Sequence, residues 1–381
     1  MDNNEFEILQ KKLDAINASI AKNHQENFNW ANALYQNQMQ LRQTLDADKA
    51  PKNFEPYYLH SMPISTDYPE IFNKYGERME VFFISDREFA HVPNDSLSRY
   101  VIWDRYNYGL DIHFYTHDEI FRTVGNPKRK FGALIEPRSI KPQSYENVLK
   151  NKDYVEKNFE AIFTFDEIIL SNLKNAKFAP LAATVWYGRN IEGTMSEGNA
   201  AGLSNDGKSK NGFKMSAENY KYKTKGISMI SSAKEMCPMH IFRKQLAFKC
   251  KALPNVDTYG KFDGGGYILI EIPFEKYRYS IAVENLVSPL YFTEKILDCF
   301  AAQTIPIYIG ATEIGQFFNP DGIIQISVED FPHIEDILAK CTVEEYERRL
   351  PAVTENFYRV QKYAVQTRWD DIYLNYIKPK S

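Results

Sequence analysis

The stretch ENLVSPLYFTEKILDCFAAQTIPIYIGA, residues 284–311, decides how this chain is read. It follows the apolar run YSIAV (279–283) and ends in a second one, IPIYIG (305–310). Both runs have the length and the β-branched and aromatic content of buried strands, and TEKILDCFAAQ between them has helical spacing. Strand, helix and strand in that order predict a Rossmann-like layer. The unusual feature is the polar crowd at the joint: Glu284, Asn285, Tyr291, Thr293, Glu294 and Lys295. Ligands of open α/β sheets collect at the carboxyl ends of strands. A helix N-terminus there offers N–H groups and the positive end of its dipole to an anion. Lys295 in the first turn works against that dipole, so a bound anion would explain it.

Similar signals lie on both sides. Before this stretch come ISMIS (227–231), the helical HIFRKQLAFKCKAL (240–253) and the turn-rich YGKFDGGGY; after it comes IIQIS (323–327). Further upstream MEVFFIS (79–85), RYVIWD (99–104), DIHFYTH (111–117), KFGALIEP (130–137) and EAIFTFD (160–166) read as strands alternating with helical stretches. Several end in an acid: Asp104, Glu136, Asp166. Between the two groups, residues 192–226 are rich in Gly, Ser, Asn and Lys and read as a loop or linker. Residues 5–46 lack Gly and Pro and place Leu9, Leu13, Ile16 and Ile20 at helical or coiled-coil spacing, which suits packing on their own domain or self-association. The C-terminal segment is helical, with a break expected at Pro351. The divisions are therefore 1–50 helical, 51–191 first α/β layer, 192–226 loop, 227–350 second layer and 351–381 helices returning to the first layer. Two α/β layers facing one cleft form the GT-B arrangement, which periodicity does not separate from other two-lobed α/β enzymes.

Composition narrows the class. With 381 residues, 44% hydrophobic and 25% charged, the chain is that of a soluble two-domain protein. A formal charge of -4 argues against broad nucleic-acid binding. The four cysteines show no metal-binding spacing, so no structural zinc is expected and reduced thiols are the simplest reading. The charged N-terminus has no signal-peptide core, and no apolar run is long enough to span a membrane. The expectation is a cytoplasmic protein, with room for peripheral association at the inner face of the membrane.

YRYSIAVEN, YFTEKILDCFAAQTIPIYIGA and FFNPDGII together resemble the signature of the α-1,3/1,4-fucosyltransferases, glycosyltransferase family 10. The resemblance implies a GT-B fold and inverting transfer of fucose from GDP-fucose to an N-acetylglucosamine-containing glycan. A bacterial surface polysaccharide or lipopolysaccharide is the expected setting. It makes Asn285, Tyr291, Glu294 and Lys295 donor-binding, with Glu284 structural or one step removed. CPMHIFRKQLAFKCKALPNVDTYGK resembles the segment that presents an arginine to the diphosphate, which falls on Arg243, with Lys244 one register away and His240 a capping or packed histidine. Two cations could neutralise the leaving group without a metal, so no metal and no cofactor are expected. KFGALIEPRSIKP resembles the segment bearing an acid in the acceptor domain. Glu136 is then the general base, unless it merely pairs with Arg138. Asp104 and Asp166 are the fallback bases. The other readings are a transferase for a different GDP-deoxysugar, and a non-catalytic glycan-binding protein that oligomerises through its N-terminal helix.

Overall fold

The computed structural model describes residues 70–72, 76–86, 98–187, 216–266, 268, 270–363 and 367–378. The helix expected over 5–46 and most of the 192–226 loop lie outside these residues.

The first layer is a seven-stranded sheet built from β1 (Ile71–Phe72), β2 (Arg78–Ser85), β3 (Val101–Asp104), β4 (Ile112–Thr116), β5 (Arg129–Ala133), β6 (Ala161–Thr164) and β7 (Ala176–Phe178). β2 pairs with β3 on one side and β4 on the other, and the sheet runs on through β5, β6 and β7; every pairing but the short β1 edge is parallel. Alternate residues of β2 explain why both faces are covered: Phe82 and Ile84 enter one apolar cluster, Phe83 the opposite one with Tyr145 and Val148. Those last two come from α1 (Pro142–Lys150), the first helix on that face.

The second layer repeats the topology. β8 (Lys225–Ile230), β9 (Val256–Tyr259), β10 (Tyr277–Val283), β11 (Ile305–Ile309) and β12 (Ile324–Gln325) stand in the order β12-β11-β10-β8-β9, all parallel. The strand order reverses direction between β8 and β10, and the groove outside their carboxyl ends is the switch point of the sheet. α2 (Pro238–Lys251) covers the face bearing Ile281 and Val283; α3 (Glu294–Ala301) covers the face bearing Ala282. The two layers make the GT-B arrangement.

Two boundaries differ from the sequence reading. The helix α4 (Val343–Val360) runs through Pro351 without ending there. Proline removes one hydrogen bond to the carbonyl four residues back, but Glu347 and Pro351 are both exposed, so that carbonyl stands on the solvent side. Most of α4 therefore belongs to the second layer, where Tyr346 and Val353 join its core. Only residues 367–378 return to the first layer. There Trp369 meets Trp103 edge-on at 5.1 Å, Tyr373 stacks on Tyr100 at 5.5 Å, and Arg129 Nη1 donates to the Ile377 carbonyl at 3.0 Å. The other difference lies at the end of the expected loop, where Asn219–Tyr222 form a helical turn and β8 already begins at Lys225.

Two histidines of the first layer are buried and neutral. Desolvation holds His113 down at about 4 and His117 at about 3. In the unfolded chain each titrates near 6.5, so below that value the unfolded state takes up protons that the folded state refuses. Their contribution is complete above about pH 6.5 and is lost as pH falls towards 4. Urea denaturation at pH 7.5 and pH 5 is expected to show a loss of about 2 kcal/mol per histidine, and replacing His113 with Gln should flatten the acid limb.

Candidate active site

Period-two alternation at the end of β10 sends consecutive side chains to opposite faces. Glu284 follows Ala282 towards α3; Asn285 follows Val283 towards α2. The polar crowd therefore divides into two groups, both at the switch point.

The first group centres on Glu284, which is 0% exposed. Its Oε1 accepts the Thr293 N–H at 2.9 Å, its Oε2 accepts the Thr293 hydroxyl at 2.7 Å, and Lys295 Nζ stands 3.7 Å from the same Oε2. Burial raises its pKa, against the opposing pull of Lys295. Gly310 is required by this side chain: a Cβ there would come within 2.5 Å of Glu284 Cγ. Lys295 Nζ also donates to Glu294 Oε1 at 2.8 Å and Thr293 Oγ1 at 3.0 Å. Burial would lower the lysine, but the Glu294 and Glu284 carboxylates outweigh it and keep it raised. The same pairing overcomes burial at Glu294 and lowers its carboxyl. So the cation at the helix start is balanced first by the protein's own acids, at the helix end that favours acids.

The second group centres on Arg243, on α2 and 7% exposed. Its Nη1 donates to the Val283 carbonyl at 3.0 Å and to Asn285 Oδ1 at 3.1 Å, which aims the guanidinium at the end of β10. Burial lowers its pKa, yet an arginine remains charged. Lys244, one position on, pairs with Glu235 at 2.5 Å. His240 accepts the Met236 N–H on Nδ1 at 3.2 Å and is held down to about 4, chiefly by burial and then by Arg243. It caps the start of α2.

The segment that follows Glu136 reaches the end of β10 from the first layer. Two contacts close the seam between the layers: the Ser139 hydroxyl donates to the Asn285 carbonyl at 2.9 Å, and the Phe165 and Tyr291 rings lie 4.7 Å apart. Tyr291 is 2% exposed, so its ring fills the seam instead of offering a face for stacking. Burial, then the charges of Glu284 and Glu136, push its hydroxyl well above the ordinary tyrosine range. Glu136 is half-buried, and Arg138 makes a bidentate pair with Asp166, at 2.7 and 3.1 Å. Asp166 also caps the helix Glu167–Asn172 through the Ile169 N–H. Asp104 caps its own turn through the N–H groups of Tyr106 and Asn107, at the end of an edge strand. Both fallback acids thus have structural work. Ser139, His117, Tyr145 and Phe165 were not singled out from the sequence, although Ser139, His117 and Phe165 lay inside quoted stretches.

Residues 220–364 match the family described as glycosyltransferase family 10 (fucosyltransferase), C-terminal part. This match covers less than half of the chain, and the likeness to family 10 rests on these residues. A stretch of 63 residues is 33% identical to the α-(1,3)-fucosyltransferase FucT of Helicobacter pylori, covering 16% of this chain and 13% of that protein. A stretch of 71 residues is 38% identical to a putative fucosyltransferase of Acanthamoeba polyphaga mimivirus, covering 19% of this chain and 11% of that one. The matches thus span a small part of these relatives. Solved structures that align with the chain include an α1,3-fucosyltransferase with GDP-fucose, at 16% identity and a TM-score of 0.43 over 80% of this chain and 92% of that one. HepE of Anabaena, in complex with UDP and glucose, aligns at 9% identity and a TM-score of 0.48, over 77% and 98%. The family 10 domain contains Arg243, Asn285, Tyr291, Glu294 and Lys295; Glu136 lies outside the matched residues. Among the described residues no group of three or more His, Cys, Asp or Glu is placed to hold a metal ion.

Removing one partner of a buried, hydrogen-bonded charge cluster is costly, whereas a half-exposed partner matters less. Glu284→Ala is expected to lower stability in urea denaturation by about 3 kcal/mol, and Glu294→Ala by less than about 1 kcal/mol.

Proposed function

We propose that this protein transfers fucose from GDP-fucose to a sugar hydroxyl with inversion, Glu136 acting as general base. The observation that supports this reading is the tie between the segment after Glu136 and the end of β10: the Ser139 hydroxyl donates to the carbonyl of Asn285, whose side chain accepts from Arg243. In this reading the Glu136 carboxylate takes the proton of the acceptor hydroxyl as its oxygen attacks C1 of the β-linked fucose. The bond from C1 to the β-phosphate oxygen breaks, and GDP leaves with the electron pair. The product linkage is α because the displacement is in line. Charge builds on the diphosphate as this happens. Arg243 is pre-oriented by Val283 and Asn285 to meet it, and Lys295 can shift its ammonium from Glu294 to a phosphate oxygen. Glu294, released in part, accepts ribose or sugar hydroxyls. Tyr291 supports the seam beside them. The acceptor is proposed to be an N-acetylglucosamine-containing glycan of a bacterial cell surface, modified on the cytoplasmic side. Among the described residues no helix is long and apolar enough to cross a membrane.

Calorimetry with GDP-fucose, UDP-galactose and GDP separates the donor readings. Selective binding of GDP-fucose supports this one; GDP binding indifferent to the sugar points to another GDP-deoxysugar, and no binding overturns it. Glu136→Gln should keep donor affinity within about twofold while lowering turnover by about 100-fold or more. Arg243→Ala should weaken GDP binding by about 10- to 100-fold through loss of a charge-assisted contact.

A further inference from the structure

We propose that His117 is a positioning residue for Glu136, one that fixes the peptide carrying the base through two hydrogen bonds to a single ring nitrogen. The inference rests on the reading of Glu136 as the base.

β5 ends at Ala133, and the last ladder-like bond beyond it is from the Leu134 N–H to the Phe163 carbonyl at 2.9 Å. The next two N–H groups, of Ile135 and Glu136, both point to His117 Nε2, at 3.0 Å each. An imidazole nitrogen that accepts is unprotonated, so the ring is neutral with its proton on Nδ1. Its burial holds it in that state: His117 is 1% exposed and far from charging at working pH. On the other side of the same residue, the Tyr145 hydroxyl donates to the Glu136 carbonyl at 2.7 Å. The peptide groups before and after the Glu136 Cα are thus both held by buried side chains, which pins the direction of its Cα–Cβ bond. His117 itself stands at φ 49°, in the left-handed region that few side chains other than Asn, Asp and His visit. A strained backbone persists only where its surroundings over-determine it, and such sites gather at functional clefts. Here the conformation lies directly after β4, at the switch point of the first layer, and turns the ring under the end of β5.

The test uses the whole chain and GDP release from GDP-fucose, with N-acetyllactosamine and with water alone as acceptors. The expected result for His117→Ala is a kcat lowered about 10- to 100-fold, as for a misplaced catalytic group, with donor affinity by calorimetry unchanged. His117→Gln places an amide oxygen near the Nε2 position and should recover most of the rate. Tyr145→Phe, which leaves no void, should lower kcat alone by a smaller factor. A wild-type kcat in folded His117→Ala overturns the proposal, as does a Gln variant no faster than the Ala variant. Should His117→Ala fail to fold, an unchanged kcat in Tyr145→Phe overturns it. Full activity in Glu136→Gln, or no turnover by the unaltered chain, overturns instead the reading of the base.

Discussion

A carboxyl group with no exposure must find its partners inside the protein, and Glu284 does. It sits one residue past β10, accepts both the backbone and the hydroxyl of Thr293, and stands beside Lys295. Those bonds close the excursion from 284 to 293 and fix the start of α3. Because α3 is held, Lys295 is held; because β10 is extended by one residue, Asn285 comes out on the opposite face and meets Arg243. Removing the acid would leave the buried Thr293 N–H and hydroxyl without their acceptor and take away one of the two carboxylates beside Lys295, so the start of α3 depends on it.

The seam between the layers follows from the same geometry. The Asn285 side chain serves Arg243, while its carbonyl accepts the Ser139 hydroxyl from the other layer. Ser139 stands three residues after Glu136, so the segment carrying the candidate base is tied to the residue that orients the candidate phosphate cation. Phe165 and Tyr291 close the seam beside it. The two segments are thereby joined by the fold itself, before any substrate arrives.

Much of this was legible in the sequence because alternation and apolar runs report local burial. The strands at 79–85, 111–117, 160–166, 227–231, 279–283 and 305–310 appear within a residue or two of where the pattern put them. The composite motif also named Arg243 and Asn285, which are hydrogen-bonded to each other, and Glu294 and Lys295, which form an ion pair. What could not be read is what depends on contacts between distant segments. His117 lies 19 positions from Glu136, and nothing in DIHFYTH distinguishes a histidine that accepts two N–H groups from one that merely ends a strand. Tyr291 looked like a ligand contact because its neighbours do, yet its ring is spent on Phe165. Pro351 was read as a break because local chemistry says so; the helix survives because the carbonyl that loses its donor stands on the solvent side.

The return of residues 367–378 to the first layer has a consequence for the order in which the molecule is made. Trp369 and Tyr373 complete a core whose other members, Phe82, Trp103 and Phe114, leave the ribosome more than 250 residues earlier. The amino-terminal sheet must therefore wait, one apolar face uncovered, while the whole second layer is synthesised and emerges. Among the described residues, the segment that completes this core is thus made after the second layer, so this part of the core closes no earlier than residues 367–378 emerge.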